Sequence, residues 1–439
     1  MANTRAGEVV AGAPAPAEAV APIAVAPTVS VVDDAAGFDA LEPEWNALLE
    51  RSDASVFQSF EWLRSWWRHF GEGDRRRRLH LVTVRGREGL RAVAPLFVER
   101  SGLAGALGLR RLLFVGHRDS DFLDVLAARG TEADSAERIA RHLSERPAFD
   151  VALLEETPDR SATAPLLHAA FQRLGWSSAR TTDSPCPRTP LAPTWEETLA
   201  RLTVEDRREI RRRLRNLQKE YRTELEVVPP GPGVAPSMRE FIEMHQERWA
   251  RDAYWGAFAD PGQAEFHCDV AERLSRRGWL FLGFLRVDGR RTTVNYGFAF
   301  RDSIAIYLTG ARAVDDRLAR HSPGRMVHAL SMQHAVERRL PVYDFMRGSE
   351  HYKYELGAVD VPNWTVLAYP RPGRLVAVRY RVHGVLVAAR RRARREALAF
   401  RVASRDGGWL SRSVREHLAT TARRAWGDLR RILGRRSAA

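Results

Sequence analysis

A chain of 439 residues with 44% hydrophobic side chains, 12 Trp and 18 Phe is too long for one ordinary core and too apolar to be disordered, so two globular units with extensions are expected. Its net charge of +14 does not mark the body as a nucleic-acid binder, because residues 371–439 hold 19 arginines against four acids, a net of +15, which leaves the other 370 residues at −1. Two distant cysteines, Cys186 and Cys268, exclude a disulfide framework and a paired-cysteine metal or redox motif, and make a reducing cytoplasm the expected compartment.

At the N-terminus, "AGAPAPAEAVAPIAVAPT" is broken by prolines and lacks the apolar stretch of a signal peptide. Residues 1–29 are therefore expected to form a disordered leader. "GFDALEPEWNALLERS" reads as helix, and "SFEWLRSWWRHFG" places Phe60, Leu63, Trp66, Trp67 and Phe70 at helical spacing, a core stripe. "RLHLVTVRG" and "LRAVAPLFVER" alternate like strands around a turn. "RRLLFVG", "SDFLDVLAA" and "FDVALLEE" are expected as further strands, with helices over 134–146 and near 163–174. The Pro-rich "SPCPRTPLAP" then marks a domain boundary.

The second half opens on Thr194 and Glu197 as a capping box, then a helix whose apolar seam is Ile210, Leu214, Leu217 and Tyr221. Six arginines lie between 207 and 215. They suit either a helix gripping the phosphates of a nucleotide, tRNA or membrane, or a solvated face offset by nearby acids. Helices over "SMREFIEMHQERWARD" and "GQAEFHCDVAERLSRRG", three consecutive strands in "LFLGFLRVDGRRTTVNYGFAFRDSIAIYLTGA", a helix over 325–338, the strand "PVYDFM" and a last strand near "NWTVLAY" complete it. No metal site is expected. His321, His328 and His334 are each separated by nearly two helical turns, roughly 10 Å along the axis, too far to share one ion. Neither a dinucleotide-binding glycine fingerprint, a P-loop, a nucleophile elbow nor a zinc-protease motif occurs.

Helices, a three-strand meander, then loop, helix and strand is the order from which an acyl-CoA site of the GNAT kind is built. Such a site sets a helix N-terminus beside a strand end, where backbone N–H groups and the helix dipole attract a pyrophosphate. "ARHSPGRMVHAL" offers one, with Ser322 as N-cap, Pro323 in the first turn and Gly324 admitting a phosphate, flanked by Arg320 and Arg325. Acyl transfer to an amine also needs a base, a donor to the thioester oxygen and a proton for the thiolate. Glu350 and Asp344 are the candidate bases, Asp344 alternatively holding the following loop through backbone hydrogen bonds. Tyr352 or Tyr354 is the candidate acid, and Arg248 and Trp249 are candidate acceptor contacts. Lys353 is one of only two lysines, the other being Lys219, beside 67 arginines.

"FQSFEWLRSWWRHFG", "AVAPLFVER", "SDFLDVL", "MHQERW", "LTGARAVDDRLARHSPG" and "YDFMRGSEHYKYELG" together resemble GNAT-superfamily acyltransferases of the CelD type, associated with cellulose and other polysaccharide biosynthesis, and more distantly the FemAB-type aminoacyl transferases. The resemblance spans about residues 31–370. "RHSPGRM" departs from the usual Gln/Arg-x-x-Gly-x-Gly/Ala signature by one residue of spacing and lacks its second glycine. The resemblance implies an α/β fold of tandem GNAT-like domains, mixed sheets flanked by helices. These are an N-terminal domain over 30–190 and a C-terminal acyltransferase domain over 191–370, followed by an Arg-rich helical tail over 371–439. It also implies that Lys353 donates to a substrate or thioester oxygen, a salt bridge to Glu350 or Glu355 being the alternative.

The expected activity is acyl-CoA-dependent N-acylation of an amino sugar or other small envelope or polysaccharide precursor. Acyl-CoA is then a co-substrate, and no cofactor is permanently bound. A FemAB-like transferase using aminoacyl-tRNA, and a non-catalytic GNAT-shaped scaffold, are the alternatives. Nucleic acid is not otherwise expected as a partner. The tail is expected to lie as basic amphipathic helices on an anionic membrane surface at its inner face, or to pack on the body with its arginines solvated.

Overall fold

The computed structural model describes residues 26–100, 108–251 and 256–370. The tail over 371–439 and most of the leader lie outside the described residues. Described residues 26–29 correct the leader's end: Thr28 and Val29 already belong to a strand, pairing with Arg85 and Val84.

In the first half, strand β1 (Thr28–Val32) is followed by helices α1 (Ala35–Ala40), α2 (Glu42–Glu50) and α3 (Phe60–Trp66). Strands β2 (Arg77–Leu79), β3 (Leu81–Gly86), β4 (Gly89–Ala94), β5 (Leu96–Arg100), β6 (Arg110–Phe114) and the two-residue β7 (Leu126–Ala127) come next. Helix α4 (Glu132–Glu145), β8 (Val151–Pro158), α5 (Thr163–Arg173) and β9 (Ser177–Pro185) close it. The second half begins with β10 (Arg188–Pro190), α6 (Trp195–Ala200), α7 (Val204–Glu220), β11 (Thr223–Val227), α8 (Val234–Arg251) and α9 (Pro261–Arg276). It continues through β12 (Leu280–Val287), β13 (Arg290–Phe300), β14 (Ser303–Ala311), α10 (Asp316–Ala319), α11 (Pro323–Glu337), β15 (Val342–Asp344), α12 (His351–Glu355) and β16 (Pro362–Tyr369).

These strands form three sheets, β1-β3-β4-β7, β2-β5-β6-β8-β16-β9 and β10-β15-β14-β13-β12-β11, giving the expected mixed α/β architecture. Thr194 and Glu197 form the capping box at the start of α6, and Ile210, Leu214 and Leu217 are the buried seam of α7. The aromatic helix is shorter than its pattern. After Trp66 the chain passes into a π turn over Trp67–Gly71, where Gly71 packs so closely on the Trp67 ring that a Cβ would meet it at 2.2 Å. "SDFLDVLAA" is a buried loop with only Leu126 and Ala127 in a strand. Carboxylates in and just before it find partners off the ladder: Asp119, the residue preceding it, accepts from the Trp66 indole at 2.7 Å and from Gln263 at 3.0 Å. Asp124 accepts from the Thr163 hydroxyl and from the Val125 N–H at 2.8 Å.

Two strands cross the division expected at 190/191. β10 pairs with β15, Arg188 opposite Asp344. β16 leaves the second half to lie between β8 and β9, antiparallel to both. The apolar core follows the same path. Trp62 packs edge-on against Phe266, Phe298 and Tyr307 at centroid distances of 5.1, 5.5 and 5.7 Å, so one core spans both halves. A second core, with Leu214, Phe281, Met326 and Tyr343, lies on the other face of the second-half sheet, under α7 and α11.

Because β16 supplies a ladder to β8 and to β9 and buries Val366 and Ala368 completely, a chain ending after Val361 should yield no soluble folded protein. A chain ending after Pro370 is the control. Circular dichroism and gel filtration of the two products check this, and a monomeric, cooperatively melting product from the shorter chain would contradict it.

Candidate functional site

Strands β14 and β15 run parallel but pair over three positions only, Ser303 with Val342, Ile304 with Tyr343 and Ala305 with Asp344. Beyond them β14 continues to Ala311 while β15 stops and the chain turns through Met346 in the left-handed region, at φ 54°. The two strands therefore part. On its other side β14 carries a bulge: Tyr296 faces Leu308 and Gly297 faces Ile306, which leaves Tyr307 as the extra residue. Bulges re-aim side chains and recur beside active sites.

The face of the parting strands toward α11 is polar. Asn295 Nδ2 lies 3.1 Å from Ser331 Oγ and 3.3 Å from His328 Nδ1, and its carbonyl accepts from the Thr309 hydroxyl at 3.2 Å. His328 Nδ1 is also 2.9 Å from the Tyr343 hydroxyl, and its ring lies against Tyr352 at 5.1 Å. Burial pushes the His328 pKa down to about 3, with the Lys353 and Arg248 charges acting in the same direction. Its ring is neutral at neutral pH. Burial likewise lowers His245 to about 4, against the pull of its hydrogen bond to the Thr309 carbonyl. Burial, then the nearby Glu350, raises the Tyr352 pKa, so this phenol keeps its proton.

The His328 shift carries a sign. An unfolded histidine binds a proton below about 6.5, whereas the folded one does so only near 3. Its contribution to stability is therefore complete above about pH 6.5 and is lost progressively as pH falls toward the folded pKa. His328→Asn should remove roughly 2 kcal/mol of the loss of unfolding free energy between pH 7 and pH 5. Urea denaturation of both proteins at the two pH values measures it; an unchanged pH slope would contradict the assignment.

Beyond the polar cluster, a groove of about 900 Å³ lies between α7, the first turn of α11 and α12. Arg208, Arg212, Arg213 and Arg325 line it, matched by Glu205, Asp206, Glu209 and Glu355. Arg213 donates to the Arg320 carbonyl at 2.7 Å and to Ser322 Oγ at 2.6 Å, which ties α7 to the start of α11. Arg325 pairs with Glu355 at 2.5 Å, and both Arg212 and Arg213 reach Glu209. A Cβ added at Gly324 would meet nothing within 4 Å. Ser322 differs from the expected cap, being left-handed at φ 53° with no side-chain bond to the helix. Its hydroxyl serves Arg213 instead.

The expected site residues divide between these surroundings. Arg325 lines the groove, Gly324 precedes it in the first turn of α11, and Arg320 turns away to Glu220 at 2.6 Å. Arg248, 5.7 Å over the Trp249 ring, lies at the end of α8, where its charge reaches Tyr352 and His328. Tyr354 lines the groove as well, its hydroxyl donating to Asp360 at 2.8 Å. Asp344 is corrected. Tyr343 and Phe345 belong to the α11-side core, so Asp344 between them projects to the opposite face. There it is buried, paired with Arg188 at 2.7 Å, and accepts the Met346 N–H at 2.8 Å; burial raises its pKa. The loop-holding alternative is the one observed.

Lys353 is corrected too. It sits in α12, 3% exposed. Its ammonium donates to the carbonyls of Met346, Arg347 and Gly348 at 3.4, 3.2 and 3.0 Å, and contacts Glu350 at 2.9 Å. Three N–H groups already have four acceptors, which leaves no donor for a substrate oxygen. The salt bridge to Glu350 stands, and Glu350 itself is 60% exposed at its side chain. Sequence reasoning missed Asn295, Ser331 and Tyr343. No local motif announces them, because they meet only when β13, α11 and β15 pack.

Among the described residues no cluster could hold a metal ion, and no helix is long and apolar enough to cross a membrane. A family model described as "Acetyltransferase (GNAT) domain" matches residues 205–354. No curated protein matches the chain. Among solved structures, FemX is similar at 13% identity and a TM-score of 0.52, over 77% of this chain and 98% of that one. L-PGS from Bacillus licheniformis is similar at 12% identity and a TM-score of 0.46, over 77% of this chain and 96% of its own. The tandem GNAT protein from the clavulanic acid biosynthesis pathway gives 12% and 0.39, over 78% and 98%. The likeness to FemX is one of fold alone. The stretch matched as a GNAT-type acetyltransferase domain runs from α7 to α12 of the second half.

Proposed function

We propose that the protein is an acyl-CoA-dependent N-acyltransferase that acts on the amino group of a sugar or other small envelope or polysaccharide precursor. The observation that carries this reading is the groove at the start of α11, where Arg208, Arg212 and Arg213 of α7 stand opposite Arg325. Guanidiniums and a helix N-terminus suit a pyrophosphate. The gap between the strands suits an extended thioester arm, with the carbonyl brought near Tyr352. In the transfer the amine nitrogen attacks the thioester carbonyl, the C–N bond forms and the C–S bond breaks. Glu350, the exposed carboxylate beside Tyr352, receives the amine proton, and the Tyr352 phenol protonates the departing thiolate. Arg248 and Trp249 contact the acceptor. The resemblance to CelD-type proteins supports the polysaccharide setting.

A second reading, transfer from aminoacyl-tRNA, is favoured by Arg208 and Arg215, exposed on α7 beside the same groove. The two readings separate on the donor. Purified protein is offered acetyl-CoA or aminoacyl-tRNA with a panel of amino sugars, and products are followed by mass spectrometry and by thiol release. Gly324→Glu is the matched variant: the position has room for a side chain, so its melting temperature should stay within a few degrees. The added carboxylate opposes phosphate and should weaken coenzyme A binding by at least about 100-fold, the scale of a few kcal/mol. Unchanged coenzyme A affinity in Gly324→Glu would remove the proposed donor site.

A further inference from the structure

On the face of the sheet opposite the groove, at the last paired residues of β14 and β15, a crevice of about 50 Å³ is lined by Arg160, Arg188 and Arg301 together with Ser303, Asp302 and Asp344. Its floor is aromatic, with Phe57, Phe122 and Phe298 among its walls. The three guanidiniums differ in what engages them. Arg188 is paired with Asp344 at 2.7 Å. Arg301 donates to the Leu49 carbonyl at 2.6 Å and has its other N–H groups to offer. Arg160 makes no hydrogen bond or ion pair among the described residues.

Backbone conformation adds a second observation. Arg301 occupies the tight turn between β13 and β14 at φ 54°, where glycine would sit without strain and an L-residue costs energy. A left-handed arginine and an exposed arginine with no protein partner thus line one crevice and offer free guanidinium N–H groups at its mouth. The opposing charges are Asp344, already matched by Arg188, Asp302 at the rim, and Asp53, held by Arg129 at 2.6 Å. Arg160 and Arg301 are both exposed at the mouth of the crevice, and like charges crowd them, Arg188 near Arg160 and Arg129 near Arg301. An anion would relieve this crowding.

We infer that this crevice binds a phosphate-class oxyanion through Arg160 and Arg301, as free phosphate or as the phosphoryl group of a larger ligand. Its size fits a single such group. Binding there does not depend on the identity of the acyl donor in the other groove.

The test titrates the full chain with inorganic phosphate at constant ionic strength, using chloride as the counter-titrant, and with an amino-sugar phosphate in a second arm. Wild type should show saturable binding, on the order of millimolar for inorganic phosphate. Arg160→Ala and Arg301→Gly should each weaken it by about tenfold, as expected for one charge-assisted contact. Arg301→Gly should also keep or raise the melting temperature, because glycine relieves the strained turn, so lost binding cannot be blamed on misfolding. Tighter binding of the amino-sugar phosphate identifies a phosphorylated ligand, and equal binding identifies free phosphate. Equal affinity in wild type and both variants, or no saturable binding in either arm, would overturn the inference. Coenzyme A binding measured alongside keeps this outcome distinct from failure of the donor groove.

Discussion

Lys353→Met is expected to lower the thermal midpoint by roughly 4–5 °C, the consequence of about 3 kcal/mol in a body of this size. The ammonium closes a loop that would otherwise point three carbonyls, those of Met346, Arg347 and Gly348, at one another. An orphaned buried acceptor costs about 1–3 kcal/mol, and the Glu350 pair is lost as well. Two loop residues lie in the left-handed region, Met346 at φ 54° and Gly348 at φ 118°, so the backbone has little to fall back on. This accounts for lysine in a chain otherwise built on arginine. Three carbonyls converging on one point need a compact head with three donors, and a planar guanidinium spreads its N–H groups too widely. Lys353→Arg should therefore recover little of the midpoint. Differential scanning calorimetry decides; a midpoint within 2 °C of wild type, or full recovery by arginine, would refute the latch.

Arg347→Met should be at least as severe. The Arg347 guanidinium bridges Asp121 at 2.9 Å and Glu156, and the Arg347 backbone N–H donates to Asp121 at 3.1 Å. Asn363 from β16 donates to Glu156 at 3.0 Å and to the Asp121 carbonyl. Burial opposes the Arg347 charge, yet Asp121 and then Glu156 hold its pKa above the usual range. Asp121 and Glu156 are 5% and 6% exposed, and removing the partner of a buried charge costs about 3–5 kcal/mol. Glu156 also stands at φ 60°, a strained conformation that only a well-defined network sustains. The double variant Arg347→Met with Glu156→Gln should regain part of the loss, since one of the two stranded charges is gone. Denaturant unfolding of the single and double variants measures the coupling, and simple additivity would argue against the network.

Local pattern made much of this molecule legible. The α7 seam of Ile210, Leu214 and Leu217, the Thr194–Glu197 box and the β12–β14 meander all depend on spacing within a few residues, and all three are present. The Pro-rich crossing was harder to read, because Arg188–Pro190 becomes an edge strand only by meeting β15. β16 reads correctly as a strand, but its neighbours β8 and β9 lie far away in sequence. Site residues follow the same rule. Alternation along Val342–Asp344 says that Tyr343 and Asp344 oppose each other, but not which of them faces α11. That is decided by which side of the sheet the helix covers. The role of Lys353 depends on a left-handed methionine seven residues earlier, a conformation that no methionine advertises.

Donor binding at the start of α11 and the groove beside it can be read directly by hydrogen–deuterium exchange of the full chain with and without acetyl-CoA. Exchange reports the opening of individual backbone amides. Saturating acetyl-CoA should slow exchange at residues 322–327 of α11, at 351–355 of α12 and along 306–311 of β14, and leave the crevice at Arg160 and Arg301 unchanged. Protection confined to the first half, or none at all at concentrations where binding is shown independently, would contradict donor binding there.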